Sequence, residues 1–257
     1  RATAGRHVIA QRDFVFHDDI VDNQPADVSG AWSHGTAVWS NLGGFDPGAL
    51  VGVAYEAEII LAKTEDIRTE TPVEEDNFVA ALEWADSLGA DVASASLSYL
   101  TFDGGGGYTY SQLDGDTGVT SIACDIAVSR GMAVVVANGN AGPLPGTLGT
   151  PADADSTISV GAVDSLGVIA GFSSRGPTAD GRIKPEVVAR GVRNYVAQAA
   201  GNNYGPASGT SFATPVTGGA VALILEAHPE WSGWQVRQAL LDAASHPGAP
   251  DNTSGYG

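Results

Sequence analysis

The chain has 257 residues, with 30 aspartates and glutamates against 12 lysines and arginines, for a formal net charge of −18 at pH 7. An acidic surplus of this size argues against nucleic acid or an anionic membrane surface as a partner, because both would repel it. The length suits one sizeable core, and no Pro-rich or Ser-rich linker, internal repeat or charge block divides the chain, so residues 1–257 read as one domain.

The predicted elements alternate in type. Val8 to Asp13 starts as an apolar strand, and Phe14-Val15-Phe16 is expected to continue it. Asp18 to Ser33 is an acidic, Pro- and Gly-containing loop, and His34 heads the helical pattern Ala37 to Leu42. Strands are predicted at Glu58–Lys63, Asp91–Ser98, Met132–Ala137 and Thr157–Val163 from their short apolar, β-branched runs. Between the first two, Phe78, Ala81, Leu82, Ala85 and Leu88 share one face of a helix over Asn77–Leu88 that Gly89 ends. Asp103 and the four glycines after it form a surface loop. A second helix spans Thr117–Arg130, stopped by Gly131. It carries Cys124, the only cysteine, which rules out an internal disulfide and reads as a buried structural thiol. An apolar helix covers Val216 to Ala227, and Ser232 with Gln235 three residues on has capping-box spacing. No apolar run is read as long enough to span a membrane, and no signal peptide is seen. The alternation implies an α/β domain with a doubly wound, mostly parallel sheet flanked by helices.

Three segments carry chemistry. In Gly209-Thr210-Ser211-Phe212-Ala213-Thr214-Pro215 a serine sits between a glycine turn and a helix start, where free N–H groups favour developing negative charge. A plain N-cap serine is the alternative for an isolated Gly-Thr-Ser. Ser33-His34-Gly35-Thr36 supplies a base for such a hydroxyl, although a lone histidine is more often structural. His7, His17, His228 and His246 fall in no comparable motif. Ala137-Asn138-Gly139-Asn140-Ala141-Gly142 follows an apolar strand and offers an amide donor, Asn140 by its spacing to Gly142, with Asn138 as the rival.

Together these segments resemble the subtilisin-like serine peptidases (subtilases), in which the chain order is Asp, His, Ser. The resemblance implies a serine endopeptidase with Ser211 as nucleophile, His34 as general base and Asn140 in the oxyanion hole. Ser96-Leu97-Ser98-Tyr99 resembles the family segment whose backbone pairs with an extended substrate, so Ser96, Leu97 and Ser98 are candidate substrate-binding residues. Tyr99 stands where the family usually has Gly, and Arg190 where it has proline. Gly171 to Pro177 and Lys184 to Ala189 are further family landmarks, so the likeness runs from about Asp13 to Gly257. It also implies polypeptide substrates, an extracellular or otherwise extracytoplasmic location and no cofactor for the chemistry. Subtilases often hold structural calcium, yet no loop here has a ligand spacing that singles it out.

The family's catalytic aspartate, at a strand end before a Thr-Gly or Ser-Gly turn, has no clear counterpart. Asp13 reads as structural rather than as the triad acid, and Asp18, Asp19, Asp22 and Asp27 lie in an unpatterned loop. The expectation is that the acid's strand lay upstream of Arg1, in a chain truncated at both ends, leaving a sheet edge open to self-association. Two other readings stand beside the protease: a catalytically silent peptide-binding subtilase fragment, and an α/β-hydrolase esterase. The esterase wants Gly-x-Ser-x-Gly and a later histidine, and here Ala213 takes the last place of that motif.

Overall fold

A computed structural model describes residues 7–199, 201 and 203–257. In chain order the elements are β1 (Val8–Asp13), α1 (Ser33–Gly43), β2 (Phe45–Asp46), β3 (Leu50–Val51), β4 (Ile59–Lys63), α2 (Pro72–Ser87), β5 (Val92–Ala95), α3 (Val119–Ser129), β6 (Ala133–Ala137), β7 (Ile158–Val163), β8 (Val187–Arg190), β9 (Asn194–Gln198), β10 (Asn203–Ala207), α4 (Thr210–Ala227) and α5 (Gly233–Ala243). The strands β5-β6-β7-β8 form one parallel sheet in that order. β1 and β4 form a separate parallel pair, and β2-β3 and β9-β10 are antiparallel hairpins.

The sheet is covered on both faces, and β6 shows how. Its five residues, Ala-Val-Val-Val-Ala, are all buried. Val134 and Val136 pack with Phe78 and Leu82 of α2 and with Cys124, Ala127 and Val128 of α3. Ala133 and Val135 point the other way, to Ala213 and Val221 of α4 and Val236 and Leu241 of α5. A strand buried on both faces carries apolar residues at every position, and the period of two sorts them between layers. The doubly wound α/β class is therefore the one this chain adopts.

β4 and β5 are joined through α2 but do not pair with each other, and among the described residues each has a partner strand on one side only. The four residues of β5 are accordingly half-buried, in contrast to the buried β6 beside it.

Three expectations need correction. The first strand stops at Asp13 instead of running through Phe16, because Asp13 Oδ1 accepts hydrogen bonds from the N–H groups of Val15 (2.7 Å) and Phe16 (3.0 Å) and turns the chain. The helix expected from Asn77 starts five residues earlier, at Pro72. There Thr71 and Glu74 form a capping box, with proline in the first turn. Thr210–Ala227 does have the length and composition of a membrane span, but half of it is buried inside the protein, where it packs on β5, β6, β7 and β8. Gly218 and Gly219 make that approach feasible. A Cβ on Gly218 would lie 2.9 Å from Ser94 Oγ, and one on Gly219 would lie 2.5 Å from Val53 Cβ.

Candidate active site

Ser211 is the second residue of α4, and the turn ahead of it depends on glycine. Gly209 has φ +155° and ψ 157°, outside what side-chain-bearing residues adopt readily. Its N–H donates to Gly191 O at 2.8 Å, which anchors the turn to the segment after β8. Ser211 is thus presented at a helix N-terminus whose first N–H groups have no partner within the helix.

Three contacts tie the sequence-predicted residues to this helix start. Asn140, at the C-terminal end of β6, accepts from both the N–H (2.9 Å) and the Oγ1 (3.1 Å) of Thr210 through its Oδ1. That leaves the Asn140 amide nitrogen for another acceptor, and the residue is exposed. Ser96, just past β5, donates from Oγ to the Ser211 carbonyl oxygen at 2.8 Å. His34, the second residue of α1, sets its ring edge-on to Phe212, with centroids 6.1 Å apart and planes at 66°. His34 is exposed on one side; the protein packed against the rest of the imidazole desolvates it in part and lowers its pKa below the usual 6.5, which favours the neutral, basic form.

The remaining expected residues sort clearly. Ser98 lies beside the glycines of the Asn140 loop: a Cβ on Gly149 would meet Ser98 Oγ at 2.4 Å, and one on Gly139 would be 3.8 Å from it. Leu97 packs on the core beneath. Asn138 is buried, its amide donating to Ser174 O at 2.6 Å and accepting from Ser159 Oγ at 3.3 Å. Its donor is spent inside the protein. His228 stacks on Trp231 at 4.0 Å, and His246 is held by Ser245 and Ser254.

Three of the candidate acids, Asp13, Asp18 and Asp27, are engaged elsewhere. Asp13 is fully buried and paired with Lys63 at 2.8 Å, besides its two backbone bonds. Asp27 takes the same ammonium at 2.9 Å, and Asp18 caps Ile20. Among the described residues no carboxylate hydrogen-bonds to His34. In three acidic loops Asp114, Asp164 and Asp251 each turn Oδ1 onto backbone N–H groups of their own turn. Among the described residues no three His, Cys, Asp or Glu side chains converge.

Sequence reasoning missed the residues that lock α1 to α4. Asn194 of β9 donates to Phe212 O at 3.0 Å and to Asn41 Oδ1 at 3.3 Å, while Ser40 Oγ accepts from Ala197 N at 3.0 Å. No local pattern marks an asparagine 18 residues before its partner. Thr210 lies inside the recognised motif, but only the fold reveals that both of its donors serve Asn140.

The family model described as "Subtilase family" matches residues 7–257. The chain belongs to the subtilases. Subtilisin E of Bacillus subtilis (strain 168) is 36% identical over 221 residues, covering 84% of this chain and 51% of that protein. Subtilisin of Bacillus pumilus is 36% identical over 222 residues, covering 84% of this chain and 72% of its own. Against Subtilisin E, then, this subtilase spans about half the relative's length. Among solved structures, Sphericase superposes with a TM-score of 0.72 at 27% identity, over 96% of this chain and 82% of its own. A cold adapted subtilisin-like serine proteinase gives 0.73 over 97% and 80%, which at 24% identity speaks for the fold.

Proposed function

We propose that this subtilase domain is a serine endopeptidase. An extended peptide lies along Ser96–Ser98, and Ser211 Oγ attacks the scissile carbonyl carbon while its proton passes to His34. The tetrahedral oxyanion is met by the Asn140 amide and the Ser211 N–H. As the C–N bond breaks, His34 returns the proton to the leaving amine; water then hydrolyses the acyl-enzyme by the same route. The chemistry needs no cofactor. The observation that carries the reading is the convergence of Asn140, Ser96 and His34 on one helix start through Thr210, Ser211 and Phe212.

The test is fluorophosphonate labelling followed by intact mass, beside Ser211→Ala and His34→Ala. Labelling lost in both variants supports the Ser–His pair, and equal labelling in wild type and His34→Ala overturns it. A silent, peptide-binding subtilase is the second reading. It is favoured by one fact: the Asp13 carboxylate is bound by Lys63 and two N–H groups rather than by His34. Peptide binding without labelling would select it.

The family membership extends the proposal to an extracytoplasmic location, tested by fractionating cells that express the full-length gene. The one-sided pairing of β4 and β5 extends it to self-association through strand edges. Light scattering that gives a monomer mass at every concentration would remove that part.

A further inference from the structure

The residue after the substrate edge is Tyr99, a buried phenol with 1% of its surface exposed. Its backbone pairs both ways with Thr150, at 2.8 and 2.9 Å, and its ring meets Phe78 edge-on at 6.3 Å. Its hydroxyl donates to Glu65 Oε1 at 2.6 Å. Glu65 comes two residues after β4, so this bond links the two strands that do not pair, at their C-terminal ends beside Ser96–Ser98.

Glu65 sits in acidic company. Its other hydrogen bond comes from Thr64 Oγ1 at 2.9 Å. Lys63, the nearest cation on its own strand, is taken by Asp13 and Asp27. From α2, Glu74 is buried, with Oε1 lacking a hydrogen-bond partner among the described residues, and Glu75 is bound by Tyr108 at 2.8 Å. Glu70 lies near Glu74 and Asp103, the latter accepting from the Glu70 N–H at 3.0 Å. Burial, helped by the charges of Glu74 and Glu70, lifts Glu65 to about 7 against the Tyr99 and Thr64 bonds.

We propose that Glu65 and Tyr99 are positioning residues for the substrate edge: the ionised carboxylate grips the phenol and, through Tyr99 and its pairing with Thr150, holds Ser96–Ser98 extended for a bound peptide. A charge-assisted O–H···O⁻ bond is roughly twice as strong as a neutral one, so the grip tightens when Glu65 loses its proton. The inference rests on the proposed role of Ser96–Ser98 as the peptide-binding edge.

The test is the affinity of the Ser211→Ala protein for a fluorescein-labelled pentapeptide of alanines around a central phenylalanine, measured from pH 5.5 to 8.5. It is repeated with Glu65→Gln and with Tyr99→Phe added, after circular dichroism confirms folding. Kd is expected to fall about 3- to 10-fold as pH rises through about 7, the gain from one strengthened bond. Either added substitution is expected to flatten that step at the weaker level. His34 contributes equally in all three proteins, so the difference between them isolates Glu65. A step that survives in Glu65→Gln, or in Tyr99→Phe should the first variant not fold, overturns the positioning role and leaves the edge reading intact. Absence of peptide binding in every protein overturns the edge reading and the positioning role together. Binding with no pH step in any of them overturns the positioning role alone.

Discussion

Ser96 Oγ donates to the carbonyl oxygen of Ser211 at 2.8 Å, although 115 residues separate the two. The bond exists because of Pro215. In an α-helix the Ser211 carbonyl would accept from the N–H of residue 215, and proline has none. Ser96 supplies the missing donor from just past β5 and ties the backbone of Ser211 to the proposed substrate edge. Its side chain therefore serves the Ser211 carbonyl, while its own backbone is left for the peptide of the proposed reaction. Ser96→Ala strands that carbonyl and is expected to cost about 1–3 kcal/mol. Urea denaturation reads the loss directly, and a variant as stable as wild type would show that water replaces the hydroxyl.

In the proposed reaction His34 acts as a base only when neutral, and desolvation lowers its pKa from 6.5. The neutral fraction therefore persists to more acidic pH than a free imidazole would allow. The acid limb of kcat/KM should have its midpoint below 6.5, and the NMR titration of the His34 ring should coincide with it. A midpoint above 6.5 would mean that a carboxylate stabilises the imidazolium, or that another group controls the rate.

The two asparagines of the loop after β6 should fail in different ways. Asn140→Ala removes the proposed oxyanion donor and is expected to lower kcat by roughly 10²–10³, a figure that comes from a subtilisin asparagine; it also takes the shared acceptor from the N–H and Oγ1 of buried Thr210, at a cost of about 1–3 kcal/mol in stability. Asn138→Ala leaves the buried Ser174 carbonyl without its 2.6 Å partner. It should likewise cost about 1–3 kcal/mol of stability but leave kcat nearly unchanged. Thermal melts and steady-state kinetics on the same two proteins separate these outcomes; a kcat loss confined to Asn138→Ala would reverse the assignment.

Local pattern made much of this molecule legible before its structure. The β-branched runs gave four strands, trimmed at their ends, since periodicity reports burial and in Asp91–Ser98 the alternation of Ala93, Ala95 and Leu97 continues beyond the last paired residue, Ala95. The Ser232 cap was visible because both partners lie within one turn. The start of α2 was hidden because its first turn, Pro72-Val73-Glu74-Glu75, precedes the apolar face that betrays the rest. At the site, residue types and chain order pointed to Ser211, His34 and Asn140. Their connections through Thr210, Asn194 and Pro215 depend on distant backbone groups that no window of sequence contains.

A buried charge network accounts for one landmark that sequence could only recognise. Glu186, 2% exposed, receives Lys184 Nζ at 2.9 Å, Arg237 Nη2 at 2.9 Å and the Ser159 N–H at 2.8 Å. Burial pushes its pKa up, but Lys184 and Arg237 outweigh that and hold it below 4.5. A depressed carboxylate stabilises the fold above its unfolded pKa and loses that contribution as pH falls through the lower folded value. Acid unfolding should therefore include a proton uptake below pH 4.5 that Glu186→Gln abolishes. Glu186→Ala is more severe, because it leaves the fully buried ammonium of Lys184 without its counter-charge; breaking such a pair costs about 3–5 kcal/mol. Adding Lys184→Met to Glu186→Ala removes the stranded charge as well and should recover part of that loss. A double variant no more stable than Glu186→Ala would locate the cost in the packing around β7 and β8 rather than in the charges.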